Sequence, residues 1–423
     1  MIKGNLSAMN NTQSISLTKQ SNKRDFAQRA LILLYVVHLM PVLLFVMGIN
    51  ARIGLGFLNP NLKLIVSIFL ILLSISCIYK RLRWWDYLIV IVIGVFCFWS
   101  PAIYAQTRMA VLLFAPDFVF SCLPLYLLGA TVQLQEDEET FALIGRCGVI
   151  VIGFFCITAI LGLTGQVDVS EEKQGMAYNM LPMVIITTIN AARKHKSLDR
   201  GLLIVGVLLL LSMGARGPVL TFTLFIIGYV FLFKRYKNAF AFRMLILGVG
   251  GLLFLFIDYI LELLKSITIS LGMSTRIYEM ISGNEMINTE NRDWIYDTVR
   301  NELNNNPIFG HGFFYDRTLF GMESDSYAHN VFYEIYLDFG FYIGTVLFII
   351  FFGMMIWSMK KYWGSSVCGL LFGLFCGYFV MFVFSESIFR TPSFWFFVGI
   401  LVSTFRSKSR KVVRLDNNKY ISN

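Results

Sequence analysis

Apolar runs long enough to cross a hydrocarbon core of about 30 Å, roughly 17 to 25 residues each, recur along nearly the entire chain. Twelve can be read, near residues 30–48, 62–79, 86–105, 109–131, 141–164, 176–192, 201–214, 217–233, 244–262, 330–357, 365–384 and 393–405. In lipid every backbone N–H and C=O must be satisfied inside the protein, and runs of this length satisfy them as helices. The pattern therefore predicts an all-α polytopic membrane bundle of about twelve transmembrane helices. The seventh and twelfth runs are short for a span, and Pro116, Asp117 and Pro124 predict that the fourth is broken or re-entrant. The stretch "LLLLSMGARGPVLTF", residues 209–223, reads as two spans meeting in a tight turn that holds Arg216.

Composition agrees with the pattern. The chain is 57% apolar and 15% charged, against roughly 45–50% and about 25% for a soluble domain, so no soluble domain of ordinary size is expected. The organisation predicted is a cytoplasmic tail over 1–29, a membrane domain over 30–405 and a basic cytoplasmic tail over 406–423. The first tail is polar and Ser/Asn-rich, without a short apolar segment and small-residue cleavage site, so no removable signal peptide is expected.

Charge orients the bundle, because Lys and Arg concentrate on the cytoplasmic side. With both termini inside, 24 of the 36 Lys and Arg fall in inner segments and 11 in outer ones, five of those in a single long loop. The net charge of +10 is spread as short collars and a tail. That arrangement fits orientation and anionic lipid better than nucleic acid. Trp84, Trp85 and Trp363 beside basic residues fit interfacial belts. All seven cysteines lie inside predicted spans, with no disulfide framework and no CxxC metal pattern.

The one long polar segment is 263–328, between the ninth and tenth spans and on the outer face in this topology. "SITISLGMSTRIYEMISG" mixes apolar and polar residues as an interfacial helix does. "TENRDWIYDTVRNELNNNP" predicts a capped amphipathic helix, with Thr289 or Asn291 as N-cap and Pro307 after its end. Arg292, Tyr296 and Arg300 recur every four residues on one of its faces. "GHGFFYDR" then supplies a turn. The aromatic content argues for a folded cap rather than disorder, and its rings serve equally to stack on sugar or lipid or to make a small core.

Three places carry candidate chemistry. Arg216 sits where Pro218 suits the first turn of a new helix, and an arginine beside a helix N-terminus makes an anion site. An interfacial arginine reaching for lipid headgroups accounts for the same position. His329, followed by Asn330 and flanked by Tyr327 and Tyr333, stands where the outer loop becomes the tenth span. Histidine takes a proton near neutral pH without heavy tuning, although a lone histidine is more often an interface residue. Glu386 and Arg390, in "FSESIFRTP", are four apart and predict a pair across one helical turn. His311 lies in a Gly-His-Gly turn and is a weaker candidate, as are His38 and His195.

These pieces together resemble the O-antigen ligase and polysaccharide polymerase superfamily, polytopic enzymes of the bacterial cell envelope. The resemblance rests on "ARG" at 215–217, a large outer loop between late spans, "STRIYEM", "NRDWIYD", "NPIFGHG" and "YAHNVFYEIYLDFGFYIG", in that order. It covers roughly residues 200–360; the first 200 residues match only as hydrophobic spans. It implies a membrane glycosyltransferase fold of the C type at the outer face of the cytoplasmic membrane. It also implies glycan transfer from a polyprenyl-pyrophosphate carrier to an acceptor hydroxyl, with no metal, nucleotide sugar or other cofactor. The family arginines fall on Arg216, Arg292 and Arg276, and the family histidine on His329. Asn330, His311, Glu386 and Arg390 are possible support. His311 departs from the pattern, where a small or apolar residue is more usual.

The residues suit that chemistry independently. Pyrophosphate leaves readily when its growing charge meets preorganised cations, arginines stay charged throughout, and His329 is placed to take the hydroxyl proton. Direct displacement inverts the anomeric configuration. The leading expectation is a polymerase that joins lipid-linked oligosaccharide repeat units of O-antigen, capsule or exopolysaccharide, with a flippase and a chain-length regulator as possible partners. The alternative within the family is a ligase that moves finished glycan to lipid A core or another acceptor. The alternative from another class is a flippase or transporter of lipid-linked sugars. That class expects charged groups at several depths, and Arg146 is the only basic residue clearly within a span.

Overall fold

The computed structural model describes residues 82–132, 134, 138–163, 173–194, 197–213, 215–233, 266, 290–305, 308–322, 327–384 and 386–407. The predicted spans 30–48, 62–79 and 244–262, and the interfacial-helix segment but for Ser266, lie outside them. Twelve α-helices are described: α1 (Trp84–Ile103), α2 (Arg108–Asp117), α3 (Leu123–Thr131), α4 (Glu138–Leu163), α5 (Lys173–Lys194), α6 (Ser197–Ser212), α7 (Arg216–Gly228), α8 (Glu290–Asn305), α9 (Tyr315–Leu319), α10 (Val331–Lys361), α11 (Ser366–Tyr378) and α12 (Pro392–Arg406). No strand occurs among the described residues. Five segments are long and apolar enough to cross a membrane: Trp84–Ile103, Ala105–Thr131, Ile144–Leu161, Val331–Lys361 and Ser366–Val383. Gly217–Phe231 and Pro392–Arg406 are shorter apolar helices. The chain is a polytopic helical membrane protein.

The fourth predicted span is a correction. Ala105–Thr131 runs as one helical segment rather than breaking. Prolines leave carbonyls without their usual partners, and the helix absorbs this by widening into a π turn over Phe118–Cys122, between Pro116 and Pro124. Within this segment Asp117 accepts from the Ser121 hydroxyl at 2.8 Å.

Apolar side chains face both ways, as a bilayer allows. On α1, Ile91, Val92, Val95, Phe96 and Trp99 are exposed, and on α10 Phe341, Tyr342, Ile343, Ile349 and Ile350 are. Helix α5 is the inner post, buried from Met176 to Ile186 except Asn179, and it packs on α4, α6, α7 and α11. Helices α3 and α12 touch backbone to backbone: a Cβ on Gly129 would meet the Phe396 carbonyl oxygen at 2.1 Å, and one on Gly399 the Tyr126 oxygen at 2.2 Å. Small residues that let backbones meet are the usual glue of membrane helices.

Contacts at the termini sort the bundle into two ends. At one, Arg406 pairs with buried Asp86, and the Lys361 ammonium donates to the Thr404 carbonyl at 3.0 Å. At the other, the turn 310–314 meets the end of α1, where the Phe313 N–H donates to Ser100 Oγ at 3.2 Å. The Asn330 amide donates there to the Val383 carbonyl at 3.1 Å. Helix α8, helix α9 and the start of α10 form a cap at that second end. Its small core is Ile295, Val299, Ala328 and Leu337, with Tyr296, Leu303, Phe320 and Tyr333 around it.

Gly340 joins cap to bundle. Its φ of 75° and ψ of 171° interrupt α10, so the carbonyls just before it lose their helical donors. The Gly-His-Gly turn supplies replacements: the His311 N–H donates to the Leu337 carbonyl at 2.8 Å and the Gly312 N–H to that of Asp338 at 3.0 Å. A Cβ on Gly340 would lie 2.4 Å from the Ile308 oxygen. The Asp338 carboxylate completes the joint, accepting from the N–H groups of Phe314 and Tyr315, both at 3.1 Å.

Two outcomes follow for stability in detergent micelles. Gly340→Ala meets both a glycine-only backbone and a clash, and is expected to cost about 3 kcal/mol or more, read as a fall in Tm; an unchanged Tm would exclude a glycine requirement at the kink. Asp338→Ala strands two buried N–H groups and is expected to cost roughly 2 to 4 kcal/mol, with faster limited proteolysis between α8 and α9 than in wild type.

Candidate functional site

The cap end gathers a group of buried ionisable side chains that the sequence alone did not single out. Asp316 and Arg317 of α9 are each 1% exposed, and Glu334 of α10 is 2% exposed. A buried ionised group persists only when partners answer it. Asp316 accepts from the Arg317 N–H at 2.9 Å and the Ala328 N–H at 3.2 Å, and Arg317 Nε lies 4.0 Å from its carboxylate. Burial pushes the Asp316 carboxyl above its usual range, opposed by Arg317, by those two N–H groups and by Arg390. Glu334 accepts from the Ser387 hydroxyl and, at 3.2 Å, from the Ile388 N–H. The sequence held one signal for Glu334 and Asp338: two acids four residues apart in an otherwise apolar helix, where ionisable groups are costly and seldom idle.

His329 follows Ala328, which Asp316 holds, and has a left-handed conformation with φ of 52°. Such a backbone is uncommon for a residue with a side chain, and its neighbours impose it. Ala328 is tied to Asp316. Asn330 caps α10, accepting from the Phe332 N–H at 2.9 Å, while its amide donates to Val383. With both neighbours fixed, the imidazole lies against the Tyr327 ring, centroids 3.8 Å apart. The Tyr327 hydroxyl accepts from the Glu386 N–H at 3.1 Å, and the Arg317 guanidinium carbon is 4.7 Å from the Tyr327 ring centroid.

The remaining candidates fall as follows. Arg216 opens α7, after Ala215 in extended conformation. Phe225 of α7 stacks on Phe372 of α11, while Gly377, a turn and a half further along α11, meets Pro182 of α5. Gly217 at the start of α7 lies against Tyr178, one turn before Pro182. The start of α7 therefore sits at the Val383 end of α11, the same end as His329. Arg292 is the third residue of α8, in the helix expected there. Four and eight residues on, Tyr296 and Arg300 both meet Tyr333 of α10, by a ring contact at 5.4 Å and a hydrogen bond at 3.3 Å. Arg276 lies outside the described residues.

Glu386 and Arg390 are not spaced across a helical turn as expected. Glu386 has φ of 74°, and residues up to Thr391 form turns, fixed by the Thr391 hydroxyl to the Ser387 carbonyl at 2.9 Å and the Trp395 indole to that of Ile388 at 2.8 Å. Glu386 contributes its N–H to Tyr327, and Arg390 its charge to Asp316. His311 is part of the cap's assembly: its ring stacks on Tyr315 at 4.1 Å, and its Nε2 lies 3.4 Å from Glu302 of α8. Burial lowers its pKa below the usual 6.5 against the pull of Glu302. Among the described residues no three His, Cys, Asp or Glu side chains come together as metal ligands.

Comparison with known proteins gives one finding. Residues 201–349 match the family model described as O-antigen ligase. No curated protein and no solved structure matches the chain significantly. The matched stretch runs from α6 to the middle of α10 and holds Arg216, Arg276, Arg292, His311, His329 and Asn330, while Glu386 and Arg390 lie beyond it. The match points to a glycosyltransferase-like membrane enzyme of ligase or polymerase type, in O-antigen biosynthesis. Over residues 201–349, about a third of its length, the chain is similar to the O-antigen ligase family.

Proposed function

We propose that the chain transfers glycan from a polyprenyl-pyrophosphate carrier to an acceptor hydroxyl at the cap end, as a polymerase joining lipid-linked oligosaccharide repeat units. The observation that carries the reading is the mounting of His329: a partly exposed imidazole held by fixed neighbours, at the end of the bundle where α7 begins with Arg216. The acceptor oxygen attacks the anomeric carbon, the bond from that carbon to the phosphate oxygen breaks, and His329 takes the hydroxyl proton. The pyrophosphate leaves with both bonding electrons. Arg216 at a helix N-terminus, with Arg292 and Arg276 from the cap segment, meets the growing negative charge. Direct displacement inverts the anomeric centre. The carrier tail lies among the spans, and the cap end is the outer face of the cytoplasmic membrane, with both termini inside.

A positioned general base contributes on the order of 10²- to 10⁴-fold, and loss of a cation at the leaving group costs a comparable factor. In a deletion strain complemented with His329→Ala, Arg216→Ala or Arg292→Ala, surface glycan is expected as single units only, at normal protein levels in the membrane. Full-length polymer from all three variants overturns the assignment. Polymer that forms but stays unattached to its acceptor replaces the polymerase with a ligase acting through the same residues.

A further inference from the structure

We propose that Tyr327 is a positioning residue for His329, a ring platform that sets where the imidazole presents its nitrogens; this rests on the reading of His329 as proton acceptor. A neighbour in its own loop and two separate elements converge on Tyr327. Its ring packs on the His329 imidazole at 3.8 Å between centroids. The Arg317 guanidinium, from α9 and itself 1% exposed, lies 4.7 Å from the same ring centroid and 5.3 Å from that of Phe114. The hydroxyl accepts from the Glu386 N–H at 3.1 Å, and the following residues of that turn are held by Glu334.

Each contact removes a freedom that a general base must not have. The cation over the ring and the hydrogen bond at its far end fix the tyrosine in place and in tilt. The imidazole, attached to a backbone pinned at Ala328 and Asn330, then has one flat surface to rest on. Neither a histidine on a bare loop nor a tyrosine on a loose one gives a nitrogen held within the fraction of an ångström that proton transfer needs. Arg317 acts through the ring, as part of the support. A phenylalanine at 327 keeps the platform and loses only the tether to Glu386, whereas a leucine keeps an apolar side chain but loses the platform.

The test uses the full-length protein in lipid nanodiscs with a polyprenyl-pyrophosphate-linked oligosaccharide as donor. Tyr327→Leu is expected to lower kcat about 100-fold with KM for the donor unchanged, and Tyr327→Phe about threefold. Diethyl pyrocarbonate modification of His329, followed by peptide mass spectrometry, reads placement without reference to turnover. It is expected to be several-fold faster in Tyr327→Leu than in wild type, and restored towards wild type in Tyr327→Phe. Equal kcat and equal modification rates in wild type and Tyr327→Leu overturn the platform, as does a rise in KM at constant kcat. Wild-type turnover by His329→Ala overturns the base assignment itself, an outcome the modification rates cannot imitate. Should Tyr327→Leu fail to accumulate, Tyr327→Phe decides alone: an unchanged kcat overturns the tether.

Discussion

Three buried carboxylates hold backbone N–H groups of three turns, and the cap end depends on that grip. Asp338 holds Phe314 and Tyr315, Asp316 holds Ala328, and Glu334 holds Ile388 together with the Ser387 hydroxyl. Beside each grip is a side-chain-bearing residue in the left-handed region: Phe314, His329 and Glu386. A conformation of that kind costs about 1 to 3 kcal/mol, while each hydrogen bond the acids accept contributes about 0.5 to 1.5 and a stranded buried donor costs about 1 to 3. The acids therefore offset the strain locally, turn by turn. Removing one leaves both a stranded donor and a turn with no reason to keep its shape.

Two of the three acids ride on the first turns of one helix, and this gives the cap its registration to the bundle. Glu334 and Asp338 are one helical turn apart on α10, so they face the same way. One reaches the turn before α12 and the other the turn before α9. Gly340 ends this arm of the helix, and the carbonyls it exposes take up the Gly-His-Gly turn. A short rigid arm thus indexes two loops that are more than seventy residues apart in sequence. His329, directly before the arm, inherits its position.

Much of the bundle was legible from hydrophobic run length, because a bilayer asks for that length and helices are the economical answer. Each of the nine predicted runs that falls on described residues has a helical segment within a few residues of it. The helix of the cap was legible too, from acids at its start and Pro307 after its end. What escaped was set by partners distant in sequence. Pro116 and Pro124 announced a break, but a π turn absorbs the missing donors without one. Glu386 and Arg390 had helical spacing, but the N–H to Tyr327 and the pull of Glu334 on the next residues unwind that stretch. Asp316 and Arg317 fell in a stretch read only as a turn, since nothing local reveals that both are sealed from solvent. The family resemblance offered Asn330 and Glu386 beside His329, but not Tyr327 or the buried acids, whose contacts to that stretch come from partners distant in sequence.

The two kinds of candidate group are carried in different ways, and the proposed chemistry accounts for the difference. A leaving pyrophosphate has many equivalent oxygens, so cations on separate elements can meet it from several directions; Arg216 begins a helix of the bundle and Arg292 sits on a helix of the cap. Proton transfer has one line of approach, between one hydroxyl and one nitrogen. The histidine sits between two tied residues and against a ring that is itself held by a hydrogen bond and a cation. Under the proposed chemistry, precision is concentrated where the reaction is directional, and charge is distributed where it is not.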